Sequence, residues 1–186
     1  MYWAFRITSL NYVTVSSLRV TTLPERNYNQ LSKSMTIPDS IVFRVQACRD
    51  AHVALSKYFN NVHTDTYEII IGGNGNKNSF IRDYATMIEK QRVETPDIMD
   101  CNNYRAFWVK CESSGRLTVG KGAVIGNSAF LDWVDDEKRI FKGLTISTWD
   151  NATGFWDFSF LQGIFVSLFF STFKFLYFGR PYSVQS

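Results

Sequence analysis

Histidine is scarce in this chain: His52 and His63 are the two among 186 residues. Cysteine is nearly as rare, with Cys48, Cys101 and Cys111. The cysteine spacing fits no zinc pattern and two imidazoles are a poor ligand supply, so no metal site is expected. Three cysteines also fall short of a disulfide scaffold. One disulfide with a free thiol, or three thiols, both stay open. There is no block of Lys or Arg. The formal net charge is +3 and basic residues are interleaved with acids, so no nucleic-acid partner is expected. The chain does not start with a basic segment, an apolar core and a small-residue cleavage site, so no signal peptide is read and the compartment is left unassigned. Strand–helix–strand alternation is missing too, which argues against a parallel doubly wound sheet. No catalytic constellation appears. Asp50 and His52 point to one face of a strand, but no nucleophile is fixed near them, and a structural role is expected.

Aromatic residues, in contrast, are abundant: sixteen Phe, nine Tyr and five Trp, 16% of the chain. Flat side chains pack well on a pleated surface, so this excess favours β structure. Ile41, Phe43, Val45 and Ala47 alternate with Val42, Arg44, Gln46 and Cys48, the period of a strand with one buried face. Short strands are expected at 52–56, 67–71, 79–83, 104–111, 116–120, 144–149 and 155–158, with turn residues between them. Over 80–92 a helix competes, because Phe80, Tyr84, Met87 and Ile88 share one helical face. A strand followed by a loop is preferred there, since Ser79 to Arg82 directly follow a turn. The first forty residues read as one or two strands, through Trp3, Phe5 and Ile7 and again from Tyr12 to Val20, and then a loop from Leu23 to Asp39. The fold class expected is all-β, an antiparallel β-sandwich of jelly-roll type. The divisions are N-terminal strands and a loop over 1–40, the sandwich over 41–158, and a hydrophobic tail over 159–186.

The sharpest local signal is Tyr67 to Arg82, where an apolar run stops in Gly72-Gly73-Asn74-Gly75-Asn76. A nucleotide or S-adenosylmethionine site would use such a strand and turn, followed by a helix whose first amides face the ligand. The helix is not evident, and a hairpin whose Gly and Asn supply positive φ is the preferred reading. Asn74, Asn76, Asn78 and Arg82 are the candidate ligand-binding residues, as polar groups beside aromatics that suit a sugar. Asn residues also serve the turn itself. Asp132 to Lys138 reads as an acidic, exposed connection without the ligand pattern of a Ca²⁺ loop. Asn151-Ala152-Thr153 is an acceptor sequon that matters if the chain is secreted. Phe160 to Phe178 approaches the roughly 20 apolar residues that span a bilayer. It reads as a membrane anchor, a core segment or a tail with no selected role.

Four blocks together resemble one family. They are Phe43 to Ser56, Tyr67 to Arg82, Phe107-Trp108-Val109 with Gly115 to Gly120, and Trp149 to Phe158, which ends in Phe155-Trp156-Asp157-Phe158. In this order and spacing they are similar to the farnesoic acid O-methyltransferase domain of invertebrate proteins, over roughly residues 41–158. The family turn often carries an aromatic where Asn74 stands here. The resemblance implies methyl transfer from S-adenosylmethionine to the carboxylate of farnesoic acid, with Arg82 as the one loosely marked carboxylate partner. It also extends to a module of larger extracellular chains, where binding is the natural task. The reading is a non-catalytic module for a small molecule or glycan, without a cofactor. The alternative is an O-methyltransferase using S-adenosylmethionine.

Overall fold

The structure is a computed structural model that describes residues 18–24, 29–30, 40–58 and 65–158. The strands are β1 (Arg19–Thr22), β2 (Asn29–Gln30), β3 (Ser40–Ala47), β4 (Ala51–Ser56), β5 (Thr66–Gly72) and β6 (Asn78–Asp83). They continue as β7 (Glu89–Glu94), β8 (Asp100–Cys111), β9 (Arg116–Lys121), β10 (Ala129–Val134), β11 (Gly143–Thr148) and β12 (Gly154–Asp157). One six-stranded sheet runs β1-β12-β3-β8-β9-β10, and the other runs β2-β11-β4-β5-β6-β7. The pairings are antiparallel. The antiparallel sandwich expected from the alternating apolar pattern is therefore the observed fold.

The core lies between the two sheets. From the first sheet Ile41, Phe43, Val45, Phe107, Val109, Val119 and Leu131 point inward and are buried. Val53, Leu55, Ile69, Ile71, Ile81 and Ile146 meet them from the second. Each such side chain contributes roughly 1.5–3 kcal/mol by leaving water. Phe43 anchors an aromatic cluster with Phe107, Trp156 and Phe158 at centroid distances of 6.1, 5.6 and 6.0 Å. The two sheets are also joined by polar contacts. Thr22 Oγ1 on β1 lies 2.9 Å from Thr148 Oγ1 on β11, and Thr148 Oγ1 is 3.2 Å from the Leu23 carbonyl; within the first sheet, Trp156 Nε1 donates to the same Thr22 Oγ1 at 2.9 Å.

Trp108 belongs to neither side of that core. Its neighbours Phe107 and Val109 point inward, so it lies on the outer face of its sheet. It is nonetheless buried, because it lies across Gly120 and donates its indole N–H to the carbonyl of Asn127 at 2.9 Å. A Cβ at position 120 would sit 2.2 Å from the indole ring, so only glycine permits this approach.

The segment from Asp132 departs only in part from the exposed acidic connection expected from composition: Asp132, Asp136, Glu137 and Lys138 are exposed, but the segment starts inside β10 and Asp135 is buried. Asp132 lies within β10 and pairs with Arg116. Asp135 is buried, accepts the Tyr67 hydroxyl at 2.9 Å and caps the amides of Glu137 and Arg139. Burial, reinforced by the Asp135 hydrogen bond, pushes the Tyr67 phenol above its ordinary range. Arg139 stacks over the Tyr67 ring at 4.5 Å and reaches Asp65 and Asp83. A run of like charges looks solvated in one dimension. Here the turn folds back, and Asp135 and Arg139 find partners on β5, on β6 and at Asp65 just before β5.

Residues 1–17 and 159–186 lie outside the described residues, and with them the expected strands at Trp3 to Ile7 and the apolar stretch Phe160 to Phe178. Among the described residues no helix is long and apolar enough to cross a membrane.

Candidate functional site

The glycine-rich stretch joins β5 to β6 as a hairpin. Gly72, Asn74, Gly75 and Asn76 have φ of 69, 52, 71 and 65°, all left-handed, and Lys77 N–H donates to Gly73 O at 3.0 Å. The composition follows from this geometry, since Gly and Asn are the residues that adopt left-handed backbone at least cost. β6 then returns antiparallel from Asn78. Asn76 ties the turn to the segment that follows β7. Its side chain donates to Met99 O at 3.1 Å and accepts from Met99 N–H at 3.0 Å. Its own carbonyl takes the Asp97 amide at 2.9 Å. Asn76→Ala removes both side-chain bonds and strains a positive φ, and is expected to cost about 1–3 kcal/mol. Asn76→Gly should recover only the backbone part. Urea unfolding midpoints of the two variants beside wild type check this: a glycine variant as stable as wild type would show that the side-chain bonds contribute nothing, and equal midpoints for the two variants would show that the backbone part contributes nothing.

The outward face of the second sheet carries an unusual row. On β4, β5 and β6 the side chains opposite the core are His52 and Ala54, Glu68 and Ile70, and Phe80 and Arg82. All six are buried. Glu68, with no exposure, sits at the centre. Its Oε1 lies 2.8 Å from His52 Nδ1, and its Oε2 accepts from Arg82 Nε at 2.5 Å. Asp50 Oδ1 stands 3.8 Å from His52 Nε2. Asp50 and His52, for which a structural role is expected from sequence, thus form a buried chain with Glu68 as its hub.

Arg82 and Arg92 flank the Phe80 ring at 5.8 and 4.4 Å from its centroid. Arg92 donates from Nη1 to Asn78 Oδ1 at 3.0 Å and pairs with Glu89. Its hydrogen bond holds the Glu89 carboxyl below the ordinary carboxylate value. Asn74 Nδ2 donates to the same Asn78 oxygen at 3.0 Å. Among the described residues the buried Arg82 Nη2 has no hydrogen-bond partner.

The structure thus brings Asn74 and Asn78 into direct contact and places Asn78 and Arg82 on one face of β6, with Phe80 between them. Asn76 turns away toward Met99. Sequence reasoning missed Glu68, Phe80 and Arg92. Glu68 had a legible signal: a carboxylate inside the apolar run Tyr67 to Ile71 requires a buried partner. Arg92 had none, because its place depends on the β6–β7 pairing.

A concavity of about 340 Å³ is lined by Thr95, Pro96 and Ile98 on one side and Lys121, Ser128 and Phe130 on the other. Asn76 braces its first wall through Met99. Among the described residues no three His, Cys, Asp or Glu side chains converge as metal ligands do.

Two six-stranded antiparallel sheets, with a polar outward face on one of them, define a β-sandwich domain. The chain belongs to the family described as farnesoic acid O-methyl transferase, whose model matches residues 8–159. A search of curated proteins finds no match. Among solved structures, a carbohydrate-binding module of class 66 from Bacillus subtilis is similar at TM-score 0.46 and 11% identity, over 73% of this chain and 91% of that one. The class 40 module of a Ruminococcus gnavus sialidase, bound to α2,3-sialyllactose, aligns at TM-score 0.42 and 6% identity, over 74% and 90%. The tail fiber protein gp63.1 of an E. coli phage aligns at TM-score 0.44 and 12% identity, over 76% and 20%. At these scores and identities the similarity says nothing about the ligand of this chain.

Proposed function

We propose that this chain is a non-catalytic binding module for a glycan, held on the outward face of the second sheet by Asn74, Asn78 and Arg82. The observation that carries the reading is the buried Arg82 Nη2 with no acceptor among the described residues. Buried polar groups are nearly always hydrogen-bonded, so an orphaned donor calls for an explanation. A sugar hydroxyl or carboxylate oxygen would supply the acceptor, and a guanidinium suits a carboxylate in two-point geometry. Arg92, stacked on the buried Phe80 ring, stands beside it with the amides of the turn, and together they supply the directional donors that sugar binding requires. Asn76 is assigned the positioning of the turn.

The family description favours a second reading, S-adenosylmethionine-dependent methylation of farnesoic acid. A glycan array and calorimetry separate the two. Under the binding reading, the wild-type chain retains at least one glycan class. Arg82→Lys, which keeps the charge and loses the fork, weakens that binding at least tenfold, and Asn78→Ala weakens it too. Titration with S-adenosylmethionine is expected to be flat. Saturable heat with S-adenosylmethionine would favour the enzyme, and glycan binding indifferent to both variants would remove the site.

A further inference from the structure

The sequence contains a single Asn-X-Ser/Thr tripeptide, Asn151-Ala152-Thr153. It falls in the turn between β11 and β12. Asp150 and Asn151 both take left-handed backbone, with φ of 55 and 59°, and Ala152 N–H donates to Trp149 O at 3.1 Å. This turn lifts Asn151 and Thr153 into solvent while Ala152 is buried beneath them. It is held firmly in place. Arg49 donates from Nε and Nη2 to the Asp150 carbonyl at 3.0 and 2.7 Å, and pairs with its carboxylate at 2.7 Å. Trp149 N–H donates to Asp50 O at 3.2 Å.

A second observation is independent of the tripeptide. Cys48, the residue before Arg49, is disulfide-bonded to Cys101 on β8. Both half-cystines are exposed. Structural disulfides form and persist in secretory and extracellular compartments and are rare where thiols are kept reduced. The lumen that makes such bonds is also where asparagine is glycosylated. We infer that the chain folds in an oxidising secretory lumen and that Asn151 is an N-linked glycan acceptor.

The donor class is an oligosaccharide joined through its C1 to a lipid pyrophosphate. The amide nitrogen Nδ2 of Asn151 forms a bond to C1 as the C1–O bond to pyrophosphate breaks. The lipid pyrophosphate leaves with the bonding pair, and the nitrogen gives up one proton. The folded turn tolerates the product because the modified nitrogen points to water. The glycan would stand at the end of β11, four strand spacings from β7 and therefore about 19 Å across the sheet. At that distance the glycan stands clear of Asn78, Phe80 and Arg92. The glycosylation claim does not depend on the ligand proposed for that face.

The test uses the full chain behind a cleavable secretion leader in cultured animal cells, read in lysate and medium. Wild type is expected to run as a retarded band that peptide-N-glycosidase collapses to the mobility of the bare chain. Asn151→Gln and Thr153→Ala should run at that mobility without treatment. Thr153→Ser should keep the shift. On non-reducing gels every variant should retain the thiol-sensitive mobility of the Cys48–Cys101 bond, which shows that loss of the shift is not loss of folding. Wild-type chain that forms the disulfide and shows no glycosidase-sensitive shift would overturn the proposal. So would a shift that persists in Asn151→Gln, or a chain in which Cys48 and Cys101 stay reduced in the lumen.

Discussion

Arg82→Ala is expected to lower stability by about 3–5 kcal/mol, the range for breaking a buried ion pair by removing one partner. Glu68 has no solvent exposure, and Arg82 gives it a direct hydrogen bond from Nε. Without the guanidinium, the carboxylate loses that cation in a place where water cannot replace it. A loss of this size is a large share of the roughly 5–15 kcal/mol that a typical domain has in total. Removing both charges should hurt much less than removing one. The double variant Arg82→Met, Glu68→Gln is expected to recover most of the loss, because the cost lies in the uncompensated charge rather than in the missing contact. Urea unfolding of the two variants beside wild type decides it. If the double variant is as unstable as the single one, packing and not charge explains the effect.

The second large effect is expected at the disulfide. Cys48 and Cys101 are separated by 53 residues, and the bond links the end of β3 to the start of β8. The loop it closes holds β4, β5, β6 and β7, most of the second sheet. Constraining a loop of that length in the unfolded chain is worth roughly 4 kcal/mol in the chain-entropy treatment. The double variant Cys48→Ser, Cys101→Ser should therefore unfold at a clearly lower denaturant concentration under oxidising conditions. A thiol reductant should bring wild type down to the variant's midpoint and leave the variant unchanged. Coincident midpoints before reduction would mean that the crosslink adds no stability.

Much of the sandwich was legible because its strands obey a local rule. Ile41, Phe43, Val45 and Ala47 face one way and Val42, Arg44 and Gln46 the other, and the same alternation or an apolar run between turn residues marks β4, β5, β9 and β11. The hairpin at Gly72 to Asn76 was legible for a similar reason, since left-handed backbone selects Gly and Asn wherever it occurs. The preference for strand over helix after Ser79 holds for β6, but the loop expected to follow gives way to a second strand, β7, from Glu89, whose mostly polar sequence carries no strand pattern. The candidate site was legible only in part. Asn74 and Asn78 meet because they flank one turn. Asn78 and Arg82 share a face because they are four residues apart on one strand.

What the one-dimensional pattern could not show depends on which strands lie side by side. Glu68 reads as a lone charge until β4 and β6 flank β5 and supply His52 and Arg82. Asp135 reads as part of a solvated acidic run until the turn brings it to the Tyr67 hydroxyl. The partner of Cys48 stays undecided between Cys101 and Cys111 until β3 and β8 pair. Periodicity and turn chemistry act within a few residues, so the sequence by itself determined the strands, the hairpin and the sandwich class. Charge pairing, disulfide choice and the burial of a sheet's outer face act between residues that only the tertiary fold makes neighbours, and these the three-dimensional structure decided.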